Sequence, residues 1–235
     1  MPMHAIDFGR PIPLFPLGGV SLMPHAMSRF HIFEPRYRQM VEHMLAAGKG
    51  DLERADPVAL AVLDPSHSDG ATTSIREVAC IGRITRLERY PDGRFDLVVH
   101  GISRARIDEL DQPEADRLYL RAWMRPVDES GPGPAMPEAR RTITGLLRGP
   151  RLARLSQGEF ARQLTANEQV PTQALIDLIA FAVFSDPGLR YRVLADADCR
   201  SRAATVTREL QELDRLVELV DRQEPGAWPK GLSWN

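Results

Sequence analysis

His31-Ile32-Phe33-Glu34-Pro35-Arg36-Tyr37-Arg38 is the stretch on which the fold turns. Its first half, read from Arg29 to Phe33, has the β-branched and aromatic content of a short strand. Glu34-Pro35 then opens a helix, because proline fits the first helical position, where its missing N–H would be unpaired anyway. The helix is predicted to run to Gly48. Within it Tyr37, Met40, Val41, Met44 and Leu45 recur at i, i+3, i+4, i+7 and i+8, one buried stripe. Glu34 suits the positive end of the helix dipole.

Outward from this junction, most segments before residue 130 read as strands. Ile12 to Leu17 is a short strand punctuated by prolines. Pro57 to Leu63 is a continuous apolar run, as expected of a buried strand. Ser66 to Ser74 reads as a polar loop. Val78 to Arg89 is a strand with arginines along it. Pro91-Asp92-Gly93 signals a tight hairpin, with positive φ angles supplied by Asp-Gly. Phe95 onward alternates, with a break or bulge at Gly101, and the strand resumes to Ile107. Leu118 to Pro126 alternates again, placing Leu118, Leu120, Ala122 and Met124 on one face. Several short strands with hairpins and one early helix predict a closed or partly closed β structure.

The segment 128–134, Asp-Glu-Ser-Gly-Pro-Gly-Pro, is a linker by composition. After it helices take over: Met136–Arg148, Gln157–Ala166, Thr172–Phe184, a short one opened by Asp186-Pro187, and a long last one capped by Asp196 or Asp198. In that last helix Val206, Leu210, Leu213, Val217 and Val220 are spaced 4, 3, 4, 3, the seam of a coiled coil. It has two outlets: pairing between chains as a homo-oligomer, or packing within one chain. The expected division is 11–128 for a β domain, 136–224 for an α-helical bundle and 225–235 for a tail carrying Trp228 and Trp234.

Composition narrows the chemistry. The chain has 235 residues, 43% of them hydrophobic, enough for a sizeable core. The net charge is −2, which argues against a DNA packer or a charge-held membrane binder. Only Lys49 and Lys230 are lysines. Neither sits in a phosphate-wrapping Gly-x-x-x-x-Gly-Lys loop, and neither lies in a core-like segment that would suit a Ser–Lys dyad or a Schiff base. Cys80 and Cys199 make no metal or redox spacing and read as buried thiols of a reducing compartment. His25 and His31 lack a third ligand nearby. No apolar run is long enough for a signal peptide or a membrane span, so a cytoplasmic location is expected. No catalytic residue, metal or cofactor is predicted.

Two segments taken together resemble a known family. Pro13-Leu14-Phe15-Pro16-Leu17 followed by His31-Ile32-Phe33-Glu34-Pro35-Arg36-Tyr37-Arg38 is similar to the opening of the amino-terminal domain of Lon proteases, closest to its free-standing bacterial versions. Residues 92–97, Asp-Gly-Arg-Phe-Asp-Leu, and Gly101-Ile102-Ser103-Arg104-Ala105-Arg106-Ile107 resemble its later hairpin and Gly-x-x-Arg-x-Arg strand. Arg192-Val193-Leu194-Ala195-Asp196 before a Leu-rich helix resembles its helical end. The likeness spans about residues 11 to 222. Two places depart from it: Met23-Pro24-His25 stands where the family usually has Phe-Pro-Gly, and Val78-Ala79-Cys80 where it has Val-Gly-Thr. The resemblance implies an α+β fold, a PUA-like pseudo-β-barrel followed by a C-terminal α-helical bundle with a long last helix. It also implies capture of unfolded or tagged polypeptides without cutting, since the ATPase and Ser–Lys peptidase of full Lon proteases are not in this sequence. A separate protease or chaperone would then receive the client.

On this reading the client surface is Leu22, Met23, Met27, Phe30, Phe33, Arg36 and Tyr37, an apolar, Met-containing loop and strand rimmed by charge. The alternative is RNA binding by an arginine-rich sheet face of Arg83, Arg86, Arg89, Arg94, Arg104 and Arg106, brought together by the hairpin.

Overall fold

The computed structural model describes residues 6–68, 73–127, 133–155 and 158–222. Seven strands come first, with one helix among them: β1 (Ile12–Leu17), β2 (Met27–Ile32), α1 (Pro35–Ala47), β3 (Val58–Ser68), β4 (Thr73–Ile75), β5 (Val78–Arg89), β6 (Phe95–Asp111) and β7 (Arg121–Pro126). Five helices follow: α2 (Pro137–Arg148), α3 (Gly158–Ala166), α4 (Thr172–Val183), α5 (Pro187–Ala195) and α6 (Cys199–Arg222). A 3₁₀ turn at Leu152–Arg154, between α2 and α3, has no counterpart in the sequence reading.

The sheet closes on itself. β1 pairs in parallel with β3 and antiparallel with β7, and the ring runs on through β6 and β5 back to β3. A ring of five strands encloses little room, and small residues fill it. Ala59, Ala61, Ala79, Ala105 and Ala122 pack there with Leu14, Ile81 and Met124. The alternate residues of the same strands face outward, where Leu60, Val62 and Val78 join α1 and the helical layer in the main core.

β6 is long enough to serve two sheets. Its first half, Phe95 to His100, carries β2 on one side and the end of β5 on the other. Its second half, after a register shift that leaves Ile102 unopposed, joins the ring. β2, β6 and β5 therefore project from the barrel as a three-stranded flap, backed by α1 through Tyr37, Met40, Val41 and Met44, all buried.

Three local expectations need correction. The expected loop at 66–74 is mostly strand, because β3 runs to Ser68 and pairs with β4; residues 69–72 lie outside the described residues. The hairpin has one left-handed residue, Gly93 at φ 83°, not two. Gly93 N–H donates to the Tyr90 carbonyl and Tyr90 N–H to the Arg94 carbonyl, a type I turn closed by a left-handed glycine. The last strand starts at Arg121, and Tyr119 rather than Leu118 is buried, its hydroxyl hydrogen-bonded to His43 Nδ1 at 3.1 Å. The linker at 128–132 and the tail with Trp228 and Trp234 lie outside the described residues.

The β and helical layers are joined through the core. Arg104, fully buried on the outer face of β6, donates to Asp177 of α4 at 2.5 Å and to the Leu194 carbonyl of α5 at 3.0 Å. Arg202 of α6 approaches the same carboxylate at 3.5 Å. Asp186 caps α5 by accepting from the N–H groups of Gly188 and Leu189, and Asp198 accepts from Arg200 N–H at the start of α6.

Candidate functional site

The loop before β2 decides which of the expected surface residues reach solvent. Gly101 donates its N–H to the Ala26 carbonyl at 2.9 Å and accepts from His25 N–H at 2.8 Å. The loop is thus pinned flat against β6, and His25 turns the chain in the left-handed region at φ 68°. This geometry drives Leu22 and Met23 inward, where both have no exposed surface. Tyr37 is also in the core, tilted against Phe15 at 4.6 Å between ring centroids, and burial pushes its hydroxyl pKa up. These three belong to the packing and do not line the surface proposed from the sequence.

The remaining four divide by strand alternation. Met27 is 61% exposed and Phe33 is 60% exposed. Phe30 points to the other face, half-buried and edge-on to Phe15 at 5.5 Å. Arg36 is exposed at the start of α1, donating to Glu34 Oε2 at 2.9 Å and lying over the Tyr37 ring.

Sequence reasoning missed the rest of the surface. A trough of about 770 Å³ runs along the flap, lined by Arg29, Phe30 and His31 of β2, by Thr85 to Glu88 of β5, by Asp96 to Val98 of β6, and by Leu52 of the loop after α1. Two cross-strand rows form its outer floor. One is Arg29–Val98–Arg86 and the next His31–Asp96–Glu88. Period-two alternation of Met27, Arg29, His31 and Phe33 was the available signal; grouping Met27 with Phe30 mixed the two faces.

The hairpin end of the trough is a hydrogen-bonded aromatic cluster. His31 Nδ1 lies 2.6 Å from Asp96 Oδ1, and Tyr90 O–H donates to Asp96 Oδ2 at 2.8 Å. These bonds hold the Asp96 carboxyl below the usual carboxylate range, that from His31 first, and the bond to Asp96 raises the Tyr90 hydroxyl. Phe33 stacks on His31 at 6.2 Å, and the Arg94 guanidinium lies 5.8 Å from the Tyr90 ring centre. An exposed aromatic edge beside anchored polar groups suits contact with a chain that has both apolar side chains and a polar backbone.

The six arginines of the alternative reading do not share a face. Arg104 is buried on Asp177, because β6 bends at its bulge and turns the residues beyond toward the helical layer. Arg83 donates to the Ala55 carbonyl, Arg89 to Glu42, Arg94 to Asp92 and Arg106 to Glu77. Among the described residues no three His, Cys, Asp or Glu side chains gather as a metal site. No helix among them is long and apolar enough to cross a membrane.

With this geometry in view, the comparisons are specific. Residues 11–212 match the family model of the ATP-dependent protease La (LON) substrate-binding domain, and the chain belongs to that family. It is similar to the Lon protease of Desulfovibrio desulfuricans, 27% identical over 209 residues, covering 89% of this chain and 21% of that protein. The Lon protease of Desulforamulus reducens is 21% identical over 214 residues, covering 91% of this chain and 23% of that protein. The chain thus spans about a fifth of the length of these relatives. Among solved structures, the N-terminal domain of Mycobacterium avium complex Lon protease superposes with a TM-score of 0.60 at 16% identity, covering 88% of this chain and 98% of that one. The Lon N-terminal domain protein from Xanthomonas campestris gives 0.59 at 19%, covering 84% and 96%. These two likenesses bear on the fold, which is the α+β arrangement expected of the family.

Proposed function

We propose that this chain captures extended or unfolded polypeptide segments in the trough along β2, without chemistry of its own. The observation that carries the reading is the exposed line of Met27, Arg29, His31 and Phe33 beside that trough. Family membership supports it, because the matching family is a substrate-binding domain. A client side chain seated against Met27 and Phe33 gains about 25 cal/mol per Å² of apolar area buried. Ordering a flexible client offsets much of that gain, which leaves weak, broad binding of about micromolar strength. Unpaired backbone groups on the outer side of β2 offer the client main-chain hydrogen bonds as well: among the described residues β2 pairs with β6 alone.

The test is binding of a permanently unfolded, reduced and carboxymethylated protein, read by calorimetry. Met27→Ala with Phe33→Ala is expected to weaken it by at least tenfold, since the loss of only about two CH₂ groups of apolar contact, at about 0.8 kcal/mol each, already exceeds the roughly 1.4 kcal/mol that tenfold requires. Equal affinity for the parent and the double variant would remove the surface from consideration.

A further inference from the structure

We infer that Arg29 and Arg86 make the trough selective for a client segment carrying a single acidic side chain two positions from a large apolar one. This rests on the reading of the trough as a polypeptide site and names what it prefers. The two arginines lie on either side of Val98 in one cross-strand row, on strands that are not neighbours. Two strand spacings separate their backbones by about 10 Å, a span that two guanidinium groups close from opposite sides. Both are exposed, and among the described residues neither side chain has an ion-pair or hydrogen-bond partner. That sets them apart from their neighbours: Arg36, Arg89, Arg94 and Arg106 all pair with a carboxylate of this chain.

A carboxylate set above Val98 meets both guanidiniums and completes the row with charge-assisted hydrogen bonds. The row beyond has the opposite sign. Asp96 and Glu88 lie there, one side-chain repeat or about 7 Å along the strands. Asp96 is engaged with His31 and Tyr90, and Glu88 is exposed. A second acid two residues along the client would face these carboxylates, so the trough reads one acid and not an acidic run. On the other side the repeat reaches Met27, which supplies the apolar contact.

The experiment uses three fluorescein-labelled nine-residue peptides that differ only at a central position, Glu, Gln or Lys, with Leu two residues away. Anisotropy titration against the full chain is expected to show the Glu peptide binding about tenfold more tightly than the Gln peptide, and the Lys peptide weakest. In the Arg29→Gln, Arg86→Gln variant the Glu-to-Gln ratio is expected to fall to near one. A thermal melt matching the parent's establishes that this variant is folded. Equal binding of the Glu and Gln peptides to the parent overturns the inference and leaves polypeptide capture standing. A ratio that survives in the variant also overturns it, because the selectivity then lies elsewhere. Failure of all three peptides to bind the parent overturns both.

Discussion

Gly101 carries more of the fold than its size suggests. A Cβ there would stand 2.2 Å from the Met23 carbonyl oxygen and 3.0 Å from Cys80 Sγ. The first neighbour is backbone held by its own hydrogen bonds and cannot swing away. Gly101→Ala is therefore expected to cost about 1–3 kcal/mol, the usual penalty of overpacking. It should also loosen the 22–26 loop and expose Met23. Urea unfolding measures this, and an unchanged midpoint would show that the loop is not seated as described. His25 is the complement of this glycine. It takes the left-handed turn at a position where the resemblance in sequence implies a glycine, and histidine is among the side chains found there more often than most. The sequence made the exchange visible, but not that the turn survives it.

At the scale of elements, periodicity was legible and coverage was not. The α1 stripe is as the spacing predicts, with Tyr37, Met40, Val41 and Met44 buried, because only one side of a helix at a sheet can be covered. In α6 the 4-3-4-3 seam is also present, yet its cover is uneven. Val206 and Leu210 are fully buried among the other helices, Leu213 and Val217 are half-buried, and Val220 is exposed. A seam in sequence marks which residues share a face, and neighbours from distant parts of the chain decide how far along it the cover extends. β3 extends beyond what its composition predicts for a related reason. Pairing with β4 holds the polar stretch beyond Leu63 extended, and that is a contact between segments. In the candidate site, Met27 and Phe33 were legible as exposed apolar residues. Leu22 and Met23 were not legible as core, because two backbone hydrogen bonds to a glycine some 76 residues away put them there.

At the scale of the whole molecule, the barrel and the helices are tied by charges removed from water. Arg104 and Asp177 are 73 residues apart in the chain and both fully buried, with Arg202 beside them. No spacing rule links a strand arginine to a helix aspartate at that distance, so this contact could only be seen in three dimensions. Asp177→Ala would leave two guanidinium groups buried beside an apolar side chain. The expected loss is about 3–5 kcal/mol, since breaking a buried pair strands the surviving charge. Chemical denaturation followed by far-UV circular dichroism checks it. A loss below about 1 kcal/mol, the range of exposed pairs, would contradict the burial of this cluster.

The same joint holds the flap and its trough in place, because Arg104 and the trough's Asp96 to Val98 belong to one continuous strand. The most direct test of the account is where an unfolded client sits. Amide hydrogen exchange of the chain, with and without saturating carboxymethylated client, resolves this by peptide. Slowed exchange is expected in β2, in residues 85–88 of β5 and in residues 96–98 of β6, with the five C-terminal helices unchanged. Protection on the helices, with β2 exchanging as it does in the free chain, would contradict it.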